Sequence, residues 1–170
     1  MSHAKNKVEW CLNKSKKELE KEGKHRGLIK TNPDLNKARE YIEKAEHYIK
    51  ATDFLKKGKF SDISISTAFY STYHCLLAIS TKFGYESCNQ ECTFALVKSL
   101  IEDGKIDLKK EVIDKISSLN EDKETTVEIR ERFQYGTETE VKDEIYNELF
   151  SLARELLSKT KEIIEQWHLT

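Results

Sequence analysis

Three residues in the run EIRERFQYG, Glu128–Gly136, have the types and spacing to grip an anion: Arg130, Arg132 and Tyr135. The chain has only five arginines among its 29 basic residues, so two in three positions suggest specific bidentate contacts with phosphate or carboxylate. Tyr135 could stack on a base or donate a hydrogen bond. The alternative partners are internal, an ion-pair network with Glu128, Glu131 and the acidic run 138–144. A proton-transfer group is available in AFYSTYHCLLAI, Ala68–Ile79, where His74 follows Tyr70 by one helical turn. Histidine titrates at about 6.5 and exchanges protons near neutrality. Helical spacing sets His74 beside core positions, which favours a structural histidine hydrogen-bonded near Tyr70; Tyr70 itself reads first as a packing residue.

Other chemistry is poorly supplied. There is no glycine-rich phosphate loop and no nucleophile elbow. The acidic pairs Glu102-Asp103 and Glu121-Asp122 fall at helix ends or in loops and read as solvated charge. Cys11, Cys75, Cys88 and Cys92 contain no two-residue-spaced pair, although Cys88 and Cys92 would share a helix face. They read as reduced thiols acting as small hydrophobes, with no disulfide, no metal and no cofactor expected. Lys14, Lys16, Lys17, Lys21 and Lys24 could form an RNA-facing strip, but glutamates interleave them and a solvated face is the simpler reading. A net charge of -1 argues against a general nucleic-acid coat. No apolar run approaches the ~18 residues of a membrane span, so a soluble, cytoplasmic chain is expected, with no membrane partner.

The elements that must position these residues are helical. In the least charged run, 60–85, Ile65, Phe69, Thr72, Leu76, Ile79 and Phe83 form a bulky stripe. Ser64, Ala68, Ser71, Cys75 and Ala78 form a small one, on which a neighbouring helix can approach closely. This is the expected central helix. Before it lie a charged N-terminal helix, 5–22, a linker at 25–32, and a helix from Asn32-Pro33-Asp34 to Lys57-Gly58, with Asn32 as its cap. Ser61 or Asp62 is the expected cap of the central helix. After it come helices at 90–102, at 107–119 capped by Asp107, and at 126–135. Thr137 and Glu140 fit a capping box opening a last helix of roughly 30 residues, through Trp167. No segment alternates convincingly as a strand. The expectation is all-α: an up-and-down bundle of four to five core helices over 32–170, preceded by a helical extension and linker at 1–31.

The two motifs together resemble the HEPN superfamily (higher eukaryotes and prokaryotes nucleotide-binding domains). Ala68–Ile79 is similar to its signature helix, and Glu128–Gly136 to the segment where an arginine precedes a short helix end. The resemblance covers about 34–168 and implies a bundle of four or five helices that usually forms a homodimer. Many members are ribonucleases with Arg, four to six residues, then His; others partner a minimal nucleotidyltransferase in toxin–antitoxin-like pairs. Here Arg130 and four intervening residues lead to Tyr135, where the nucleases have His. Tyrosine ordinarily titrates at about 10 and stays protonated at neutral pH, which suits binding better than hydrolysis. The resemblance therefore implies a non-enzymatic interaction or nucleotide-binding module, with Arg130, Arg132, Tyr135, His74 and Tyr70 lining a cleft for a nucleotide or RNA. The alternative is an atypical ribonuclease in which Arg130 and His74 act together.

Overall fold

A computed structural model describes residues 2–117 and 124–166. Seven helices carry the fold: α1 (His3–Glu22), α2 (Leu35–Lys57), α3 (Ser61–Lys82), α4 (Gln90–Glu102), α5 (Lys110–Ile116), α6 (Thr126–Tyr135) and α7 (Asp143–Glu165). Two three-residue strands, β1 (Leu28–Lys30) and β2 (Tyr85–Ser87), pair antiparallel with Ile29 opposite Glu86. Among the described residues the fold is all-α apart from this ribbon, which sequence periodicity did not reveal because three residues are too few to alternate.

α3 is central, as its two stripes predict. Ile65, Phe69, Leu76 and Ile79 are fully buried, and Ser64, Ala68, Ser71, Cys75 and Ala78 are buried beside them. On the small side α2 comes close enough for the Ser71 hydroxyl to donate to the Ala45 carbonyl at 2.9 Å. α7 and α6 pack on other faces of α3. Burial of the Cys75 thiol in this core pushes its pKa up to about 12 and removes it from thiol chemistry. A smaller cluster joins Ile65 of α3 to Ile129 and Phe133 of α6 and to Val141, Tyr146 and Leu149 at the start of α7. This cluster fixes the C-terminal end of α6 beside the first turns of α3.

α1 docks on its own chain. Val8, Cys11 and Leu28 belong to the same core as α3 and α4. Cys11 and Cys92 form a disulfide across an 81-residue separation, joining α1 to α4 and correcting the expectation of four reduced thiols. The sequence spacing concealed this pair because its members sit on different helices.

Several boundaries differ from expectation. Asp34, not Asn32, caps α2 by accepting from the Lys37 amide, leaving Pro33 outside the helix. Ser61 does not cap α3; its hydroxyl accepts from the Val141 amide and ties α7 to α3. Asp107 pairs with Lys159 instead of capping α5, which starts at Lys110. The capping box belongs to Thr125 and Glu128 at the start of α6, and α7 begins at Asp143 without using Thr137 and Glu140. At 23 residues α7 is shorter than foreseen, and Trp167, Leu119 and the pair Glu121-Asp122 lie outside the described residues. Gly84, at φ +76°, joins α3 to β2; a Cβ there would meet the Thr31 carbonyl oxygen at 2.8 Å, so the turn requires glycine.

Candidate functional site

α6 has a clear start and a clear inner face. The Thr125–Glu128 box satisfies its first amides, and Val127, Ile129, Arg130 and Phe133 turn inward. Arg130 is only 8% exposed. Its guanidinium carbon lies 4.7 Å from the centroid of the Phe69 ring on α3, within cation–π range. Nη2 donates to Glu131 at 3.2 Å, while Nε is buried with no hydrogen-bond partner among the described residues. Phe69 thus packs the core and carries the arginine. Sequence spacing assigned Phe69 correctly to the core, but gave no signal that a cation would lie on its ring.

Arg132 turns the other way. Its Nε and Nη2 both reach Glu124, each at 3.0 Å, in a bidentate ion pair, and its carbon lies over the Phe133 ring at 4.7 Å. Both arginines have internal acidic partners, but of those the sequence suggested only Glu131 takes part; Arg132 pairs with Glu124, and Glu128 serves the capping box. Tyr135, the last residue of α6, is 76% exposed.

His74 sits in a different environment. Its Nδ1 donates to the Tyr70 carbonyl at 2.7 Å, the local bond that the structural reading anticipated, which leaves Nε2 as the ring's acceptor. Tyr48 and Tyr41 of α2 flank the ring at 5.2 and 5.9 Å between centroids. Burial, with a smaller contribution from Lys44, holds the imidazole below its ordinary pKa. Tyr70 packs on Tyr48 at 5.5 Å and edge-on to Phe69 at 5.7 Å.

The five residues therefore divide. Tyr70 and His74 form an aromatic group against α2, whereas Arg130, Arg132 and Tyr135 belong to α6. Phe69 and His74 are five residues apart on α3, or about 140° around the helix, so the partner of Arg130 and the imidazole face different directions. Tyr73 is the ring that touches both, stacked on Phe69 at 6.1 Å and edge-on to His74 at 6.4 Å.

The remaining described charged candidates are on the surface, where Lys16, Lys17, Lys21 and Lys24 are exposed. Asp103 pairs with Lys5, Glu102 accepts from Ser2, and Lys7 and Lys14 lie over the ring of exposed Trp10 at 4.6 and 5.1 Å. Sequence reasoning did not single out a group of exposed apolar residues around the α2–α3 turn: Phe54, Phe60 and Ile63, which are 74%, 54% and 49% exposed. The C-terminal end of α6 lies at the same end of the bundle, through the cluster of Ile65 with Phe133 and Val141. None of the described helices is long and apolar enough to cross a membrane. The chain matches no protein-family model and no curated protein.

Proposed function

We propose that this chain is a HEPN-type helical interaction module of the non-nuclease kind, a homodimer that partners a minimal nucleotidyltransferase or a nucleotide-bearing ligand. The observation that carries this reading is the arrangement of α6. Its arginine is committed to Phe69 in the core, and the position that a ribonuclease gives to histidine is Tyr135, at the exposed end of the helix. The exposed Phe54, Phe60 and Ile63 beside that end supply apolar area of the kind that mediates association, with Tyr135 as an amphipathic aromatic neighbour. His74, held neutral among tyrosines, serves the α2–α3 packing in this reading.

Sedimentation equilibrium at concentrations on the order of tens of micromolar tests it. A homodimer is expected, and Phe60→Glu or Ile63→Glu should shift it to monomer without loss of helical circular dichroism. A wild-type monomer in the same range, forming no complex with an added minimal nucleotidyltransferase, would overturn the proposal.

A further inference from the structure

A second constellation lies away from α6, where the ribbon meets α1. His25 lies between α1 and β1, Glu86 is in β2, and Cys88 follows β2 directly. One ligand atom from each comes within 4.8 Å of the other two. The backbone holds them there. The Cys88 amide donates to the Gly27 carbonyl at 2.8 Å and extends the ladder beyond its last paired residues. Glu86 and Cys88, two apart on extended chain, project to one side. The His25 side chain is 8% exposed, its Nε2 is 3.2 Å from a Glu86 oxygen, and its buried Nδ1 has no hydrogen-bond partner among the described residues.

We propose that His25, Glu86 and Cys88 form a zinc site. Imidazole, carboxylate and thiolate are the ligand types that a borderline-soft divalent ion accepts, and one carboxylate with one thiolate balances its charge of two. In a tetrahedral zinc site such ligand atoms stand about 3.3–3.6 Å apart, so modest side-chain rotation closes the 4.8 Å arrangement. The competing cation, Lys37, is 3.8 Å from Glu86 across a half-exposed pair and is easily displaced. Three protein ligands leave a fourth position for water. Cys88 also lines a cavity of about 390 Å³ with Cys11, Cys92, Arg26 and Trp10, which gives that water an approach. The bound ion would fasten the segment before β1 to the segment after β2, close to the Cys11–Cys92 link.

Titration of untagged full-length protein with Co2+, followed by displacement with Zn2+, tests the site. One equivalent should produce a thiolate-to-cobalt charge-transfer band in the near ultraviolet and the strong visible bands of tetrahedral cobalt, both lost on adding Zn2+. Cys88→Ser should abolish the charge-transfer band. His25→Ala and Glu86→Gln should each weaken Zn2+ at least about tenfold in competition with a chromophoric chelator. Cys75→Ala should leave the spectrum unchanged, and circular dichroism verifies that each variant is folded. Absence of the band in wild type, or a band that survives Cys88→Ser, would overturn the site.

Discussion

Two regions of this molecule hold cationic, aromatic or ligating side chains, and they treat them oppositely. On the α6–α3 face, Arg130 is drawn inward onto Phe69, with Glu131 accepting from its Nη2 and no partner for its Nε among the described residues. At the ribbon, His25, Glu86 and Cys88 bring one ligand atom each to within 4.8 Å of the others, on backbone fixed by ladder hydrogen bonds. In the first region the chemistry-bearing group has become part of the packing. In the second, His25 and Glu86 pair with each other at 3.2 Å and the exposed Cys88 stands beside them. Residue type alone does not distinguish the two; what each side chain already touches does.

The comparison breaks most visibly at Phe69. Phe69→Ala removes a fully buried ring and the support of Arg130, and should cost about 3–5 kcal/mol in urea unfolding, whereas the exposed Cys88→Ser should change stability by less than about 0.5 kcal/mol without metal. Next in size is the disulfide. Closing an 81-residue separation, it should contribute about 2–4 kcal/mol, read as the drop in unfolding midpoint when Cys11→Ser is compared with wild type under non-reducing conditions.

A third test separates the charge of Arg130 from its packing. Arg130→Met keeps the apolar stem over Phe69 and removes a poorly partnered buried cation, so its stability should stay within about 1 kcal/mol of wild type. The smallest effect concerns His74. Its folded pKa lies below the unfolded value of about 6.5, so the unfolded chain binds the extra proton first and stability should fall as pH drops below that value, levelling once the folded imidazole also titrates. His74→Gln should flatten that part of the stability–pH curve, and a slope unchanged by the substitution would assign it to another group.

Much of the bundle was legible because α2, α3 and α4 carry apolar residues at helical period and end at glycine or charged turns. The stripes of α3 were readable to the residue, since a 3.6-residue period leaves little freedom about which positions face inward. Cap residues were less so: Ser61, Asp107 and Thr137 all have cap chemistry, yet Ser61 and Asp107 are engaged by Val141 and Lys159, partners distant in sequence. The same limit hid the Cys11–Cys92 bond and the approach of His25 to Glu86, 61 residues away. At α6 the identities of Arg130 and Tyr135 were visible at once. That Arg130 lies on Phe69 depends on how α6 crosses α3, which no local pattern encodes.

The central claim is that α6 serves association and not RNA cleavage. The most direct measurement is cleavage of end-labelled tRNA and single-stranded RNA by purified wild type beside Arg130→Met and Tyr135→His. The account predicts intact RNA with wild type and with Arg130→Met; any cutting gained with Tyr135→His would mark a ribonuclease scaffold turned to binding. Cutting by wild type that a folded Arg130→Met protein has lost would contradict the claim and make the chain a nuclease with unusual acid–base chemistry.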